Sequence, residues 1–179
     1  MKKIILLIAF TATFSYCFYH LTIAVLPNVI YGVLHFKANQ NHPDSDNQLT
    51  YHALPNDQSR AVVMPNPDFL YVSSFYDLTE GPLRITGTLP DSTYWSLAFY
   101  QPNTLNWYIK NDLQFGTNQL DLLLATEDQD RTGLEASEVA LSPVRKGFLL
   151  FRILVTDPAR LPEFEARQKS IRLTPALKN

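Results

Sequence analysis

At 179 residues and a net charge of −2, the chain is long enough for one domain with a real core plus an anchor, and its spread-out Lys and Arg exclude a nucleic-acid stripe or a polyanion partner. Aromatic residues make up 12% and the 12 prolines outnumber the 6 glycines, which favours an ordered, loop-rich β domain over a helical bundle or a disordered chain. The single cysteine, Cys17, excludes an intramolecular disulfide and a multi-cysteine metal site. Phe14-Ser15-Tyr16 before it lacks the small residues of a lipidation site, so Cys17 is expected to be a buried small hydrophobe.

Lys2 and Lys3 open the chain, and no Asp, Glu, Lys or Arg follows from Ile4 to Phe36. The stretch Ile4–Leu26 is long enough to cross a hydrocarbon core of about 30 Å as a helix. Its Thr and Ser hydroxyls are expected to bond back to that helix, and its Tyr and His20 tips to reach the interface. The rival reading is a cleaved signal peptide, but the small-x-small site Thr13-Phe14-Ser15 comes early and the apolar character continues past it. The expectation is a single-pass signal anchor in a bacterial inner membrane, N-terminus in the cytoplasm and the rest in the periplasm. Pro27 is expected to interrupt the helix, with Val29, Ile30, Val33 and Leu34 forming a second, juxtamembrane piece. The expected layout is anchor at 1–36, irregular polar linker at 37–59 and domain at 60–179.

From Arg60 onward the hydrophobic period becomes two. "AVVM" is a short strand. "FLYVSSFYDL" is a longer one, with Leu70, Val72, Ser74 and Tyr76 on one face and Phe69, Tyr71, Ser73 and Phe75 on the other. "LRITGTL" turns Leu83, Ile85 and Leu89 inward, and "TYWSLAFY" puts Trp95, Leu97 and Phe99 on one face. "NWYIK", "QLDLLLA" and "SEVALS" follow. "GFLLFRILV" is apolar on both faces, so it reads as a central strand in which Arg152 needs a partner. Asp157 caps a terminal helix at Pro158, with the regular turns from Leu161 and a narrow stripe of Leu161, Phe164 and Gln168. The fold class expected is all-β, an immunoglobulin-like β-sandwich of seven or eight strands with an N-terminal transmembrane helix and a short C-terminal helix.

Several segments in this order carry a family resemblance: Asn66-Pro67-Asp68 leading into an aromatic strand that ends in Asp77-Leu78, a Gly81-Pro82 turn, "YWSLAFYQPNTLNWY", and "GFLLFRILVTDPARLPEFEARQKSIRLTP". Together they resemble the DUF1254 family of bacterial proteins over roughly Val62 to Pro175, in its short membrane-anchored form. The resemblance implies an immunoglobulin-like sandwich and no established reaction. In longer members a second domain, DUF1214, follows; here the chain ends soon after the terminal helix, and the domain is expected to be absent. The resemblance therefore implies a split pair, with a separate DUF1214-type chain as partner.

Catalytic signals are sparse, and no cofactor is expected. Ser73 and Ser74 sit mid-strand without a glycine-flanked elbow, and His20, His35, His42 and His52 all precede the expected sandwich, so no triad is expected. His42, Asp44, Asp46 and His52 are loosely clustered but lack metal-ligand spacing, and "DQDRTG" at Asp128–Gly133 reads as a solvated hairpin rather than a calcium loop. Asp68 and Asp77 lie at opposite ends of one strand, about 30 Å apart, too far for a carboxylate pair. Pro65 and Pro67 hold the chain extended and block edge pairing, a structural role. The surface singled out is "YQPNTLNWYIKND", where Tyr100, Asn103, Asn106, Trp107 and Tyr108 suit a ligand or a partner; the bland alternative is a turn packing on itself.

Three functional expectations follow. A non-enzymatic envelope protein assembling with a DUF1214-type chain predicts an exposed apolar or aromatic patch. A carbohydrate-binding or carbohydrate-processing domain predicts Trp107, Tyr108 and Asp112 converging in an open groove. An enzyme completed by its partner predicts polar residues stranded at an interface.

Overall fold

The computed structural model describes residues 2–41, 45–59, 65–91 and 93–176, and it divides into a helical unit and a β domain. In the first, α1 (Lys2–Asn41) is one unbroken helix of 40 residues. The expected break at Pro27 does not occur: the proline lies inside the helix. A proline removes one hydrogen bond from the ladder, and here the Asn28 amide donates to the Ala24 carbonyl at 3.3 Å, adding a contact beside the gap. The hydroxyls of Thr11 and Thr22 donate to Leu7 and Phe18 carbonyls four residues back, at 2.9 and 2.8 Å. Phe10, Phe14 and Phe18 stack at that same spacing. The helix is long and apolar enough to cross a membrane. Cys17, expected to be buried, is exposed on it.

The β domain holds nine strands among the described residues. They are β1 (Thr50–His52), β2 (Phe69–Asp77), β3 (Leu83–Thr88), β4 (Trp95–Tyr100), β5 (Asn106–Asn111), β6 (Gln119–Thr126), β7 (Glu138–Ser142), β8 (Lys146–Leu154) and β9 (Arg172–Pro175). One sheet has the order β1-β2-β8-β4-β5, the other β7-β6-β3-β9. All pairings are antiparallel except β6 with β7. β8 is the middle strand of its sheet, as its two apolar faces predict. The expected inward residues all reach one shared core: Leu70, Val72 and Tyr76 of β2, Trp95, Leu97 and Phe99 of β4, and Leu149, Phe151 and Ile153 of β8. They meet Leu83 and Ile85 of β3 and Leu122 and Leu124 of β6 from the other sheet. Trp95 and Phe151 stack at 5.6 Å in its centre.

The segment expected to be an irregular linker at 37–59 is different. It contains the end of α1 and β1, and Asn47 clamps the end of β2. The Asn47 carboxamide accepts from Asp77 N at 2.8 Å and donates to Asp77 O at 2.9 Å. Asn47 adopts φ 62°, a left-handed geometry that asparagine tolerates. Strands of three and four residues with polar exteriors carry no readable period, which is why β1 and β9 escape sequence reading. The expected strand "AVVM", with His42 and Asp44, lies outside the described residues.

Each side of the stacked sheets is closed differently. On one, Asp157 accepts from Ala159 N at 2.9 Å and starts a 3₁₀ turn (Pro158–Arg160) that leads into α3 (Leu161–Ser170). Phe164 and Gln168, one turn apart, are the buried residues of α3. The Gln168 amide donates to the carbonyls of His52 and Tyr71 at 2.8 and 2.9 Å, and Ser170 bonds both N and O of Thr88. α3 thereby ties β1 and β2 to β3. On the other side, edge strands β5 and β7 are joined by side chains, which brings the predicted surface into view.

Candidate functional site

β4 and β5 pair with a bulge beside Phe99: Phe99 stands opposite Tyr108, and Tyr100 opposite Asn106, leaving Trp107 as the extra residue. A bulge places two consecutive side chains against one partner. Trp107 stacks on Phe99 at 5.3 Å and 17°, and Tyr108 tilts onto the same ring at 5.3 Å. Both are half-buried and packed on the core.

Their polar atoms are committed too. The Trp107 indole N–H donates to Tyr76 Oη at 3.2 Å, Tyr76 lies 3.1 Å from Ser142 Oγ, and Ser142 donates to Val144 O at 2.6 Å. An indole only donates and a carbonyl only accepts, so every proton in this chain runs one way, from β5 through β2 to β7. Burial holds the Tyr76 phenol above its ordinary pKa. A Cβ on Gly147 would strike that hydroxyl and the Tyr100 carbonyl, so the glycine makes room for the chain. Beside it, Tyr108 Oη reaches Glu138 Oε1 at 3.5 Å and Lys110 Nζ reaches Glu138 Oε2 at 2.6 Å. Burial first, and then the Glu138 charge, push the Tyr108 phenol strongly upward.

The structure thus brings Trp107 and Tyr108 together around Phe99. Asn106 turns its amide back onto the carbonyls of Phe99 and Tyr108, both at 3.1 Å. Tyr100 packs against Phe148 at 6.5 Å, and Asn103 lies in the β4–β5 turn. Asp112 opens the four-residue α2 (Asp112–Phe115), whose first turn is closed by reciprocal bonds between Asn111 and Gln114. Exposed here, among polar neighbours such as Thr104, Asn106 and Gln114, are the apolar Leu105, Ile109 and, at 85% exposure, Leu113.

"DQDRTG" forms a turn in which Asp130 accepts from Thr132 N at 2.9 Å and Arg131 donates to Thr126 O at 3.0 Å; no metal-ligating cluster occurs among the described residues. A cleft of about 460 Å³ lies beside it, and there Asp128 and Arg145 pair with each other.

Sequence reading missed a second arrangement, on the outward face of the five-stranded sheet. Contrary to the expectation that every histidine precedes the sandwich, His52 sits on β1, and its Nε2 lies 2.8 Å from Ser73 Oγ of β2. Among the described residues no carboxylate contacts the ring, so a Ser–His pair exists without the third member of a triad. Burial lowers the His52 pKa, keeping the ring neutral at pH 7. Strand register places His52, Tyr71, Arg152, Ser96 and Asn111 in one row across all five strands. Arg152 finds a hydroxyl rather than a carboxylate: Nε donates to Ser96 Oγ at 3.2 Å, and Cζ lies 6.0 Å from the Phe69 ring centre. The signal available in sequence was the single Arg inside an apolar strand.

With this geometry in hand, comparison with known proteins places the chain. A search of curated proteins found no match. Among solved structures, the VPA0106 protein from Vibrio parahaemolyticus matches with a TM-score of 0.64 at 14% identity, covering 83% of this chain and 35% of that one. An uncharacterised protein from Burkholderia cenocepacia matches with a TM-score of 0.49 at 17% identity, covering 76% and 35% respectively. The first likeness is one of fold, and the chain spans about a third of the length of both. The model of DUF1254, a family of proteins of unknown function, matches residues 47–175, the segment from the Asn47 clamp to the end of β9, and the chain belongs to that family.

Proposed function

We propose that the chain is a membrane-anchored bacterial envelope protein whose β domain is non-enzymatic and assembles with a separate DUF1214-type chain. The observation that carries the reading is α1. Its side chains are exposed along the apolar stretch, and its length, about 60 Å at 1.5 Å per residue, is twice a hydrocarbon core of about 30 Å. Lys2 and Lys3 favour a cytoplasmic N-terminus, a periplasmic β domain and an uncleaved anchor at residues 4–26, with Cys17 against lipid. Two sheets around one core support the immunoglobulin-like reading of the domain; the parallel β6–β7 pair is its variation on that theme.

The assembly half of the proposal draws on the exposed Leu105, Ile109 and Leu113 at edge strand β5. The carbohydrate reading draws less support, because Trp107 spends both its ring face and its N–H inside the domain. The test is full-length chain, tagged at its C-terminus, first washed on membranes with alkaline carbonate and then purified in mild detergent with mass spectrometry. Retention through the wash and stoichiometric recovery of a DUF1214 chain are expected. Release by carbonate would overturn the anchor. Recovery of this chain alone, where other membrane complexes survive, would overturn the assembly.

A further inference from the structure

We propose that the outward face of the five-stranded sheet is a binding site for a small organic monocarboxylate, with the Arg152 guanidinium as its anchor. The inference is independent of what α1 does and of any partner chain.

Arg152 is the seventh of the nine residues of the middle strand, half-buried, opposite Tyr71 on β2 and Ser96 on β4. Of its five N–H donors, the one on Nε goes to Ser96 Oγ, and the two terminal nitrogens have no hydrogen-bond or ion-pair partner among the described residues. With Nε committed, the fork is left to grip a carboxylate end-on, through Nη1 and Nη2. The outward positions of β2, β4 and β8 carry one carboxylate, Asp77, which pairs with Lys146 at 2.7 Å. Six residues of strand separate it from the Arg152 row, about 20 Å.

The surroundings select the rest of the ligand. On one side lie Phe69, under the guanidinium, and Tyr94, edge-on to Phe69 at 6.1 Å, an apolar wall for a ring or short chain. On the other lies the Ser73–His52 pair; the Tyr71 hydroxyl, at the Phe69 end, accepts from Asn66 N at 3.1 Å and keeps its own proton to donate. A neutral His52 leaves Arg152 the sole full charge at the row, which matches a monoanion better than a phosphate dianion.

The probe is phenylacetate, titrated by calorimetry into the full-length chain in detergent micelles, with phenylacetamide and sulfate as controls. Saturable binding of phenylacetate is expected, at least tenfold weaker for Arg152→Met and also weaker for Arg152→Lys, which keeps the charge and loses the fork. Ser73→Asp, which sets a carboxylate two positions along β2 from Tyr71, is expected to abolish binding while the thermal melt shows the fold intact. Three outcomes would overturn the proposal. One is equal binding of phenylacetamide, another is sulfate bound in preference to phenylacetate, and the third is an unchanged affinity in a folded Arg152→Met. Absence of phenylacetate binding by the wild-type chain, with a co-purifying protein lost on Arg152→Met, would overturn it in favour of a partner's carboxylate side chain.

Discussion

Each sheet carries an arginine on its outward face, and the two are treated in opposite ways. On the four-stranded sheet, Arg84 of β3 grips Asp121 of β6 with two bonds, Nε to Oδ1 at 2.7 Å and Nη2 to Oδ2 at 3.0 Å. On the five-stranded sheet, Arg152 has a serine hydroxyl and a phenyl ring. The Arg84 hydrogen bond holds the Asp121 carboxyl below its ordinary range, and Asp121 also accepts from Ser137 N. A paired arginine is architecture, since its donors and charge are consumed within the fold. An arginine left half-buried without an anion keeps donors and charge available, and it carries a desolvation cost that an anion would offset.

The comparison can be broken most strongly where the sheets are tied together. Tyr76→Phe deletes the hydroxyl between Trp107 and Ser142 and leaves a half-buried indole N–H with no acceptor. A loss of about 2 kcal/mol is expected in chemical denaturation, with the Trp107 fluorescence environment changed. If stability is unchanged, the one-way chain is not what holds β5 to β7.

The arginines themselves should respond with opposite sign. Arg84→Met leaves Asp121 without its cation and should cost about 1 kcal/mol, the scale of a partly exposed bidentate pair. Arg152→Met removes an uncompensated charge and should leave stability unchanged or raise it by up to about 1 kcal/mol in ligand-free buffer. Equal losses from both would erase the distinction drawn above.

Acid titration sharpens the contrast further. The folded state holds His52 below its ordinary pKa of 6.5, so the unfolded chain takes up the proton first and stability falls as pH drops below about 6.5. The slope is at most about 1.4 kcal/mol per pH unit and should vanish in His52→Gln. Asp121 acts lower: its folded pKa is depressed, so its contribution is complete above the ordinary 3.8 and is lost as pH falls through the folded value. Asp121→Asn should therefore flatten only the acid limb below that point, the smallest of these effects. Persistence of the pH 6 slope in His52→Gln would assign it to another group.

Much of the fold was legible because it is local. Alternation in "FLYVSSFYD" and "LRITGT" reappears in the burial of β2 and β3, and the doubly apolar "GFLLFRIL" takes the middle of its sheet. Asp157, Phe164 and Gln168 take the places their spacing implies. The candidate surface was half legible. Trp107 and Tyr108 do stand together, but the bulge that turns both onto Phe99 depends on pairing with β4, which no property of "NWYIK" reveals. Pro27 misled, because proline's local cost is outweighed by the hydrogen bonds that continue on both sides of it in a 40-residue helix.

The sequence alone therefore determined the period of the longer strands, the apolar reach of α1, the cap of the terminal helix and the family, because each is written in neighbouring residues. Only the tertiary structure decided that His52, Tyr71, Arg152 and Ser96 share one row and that Asp121, rather than any acid near Arg152, finds an arginine. Register and sheet order are set by contacts between segments far apart in the chain, and a side chain's partner depends on them rather than on its neighbours in sequence.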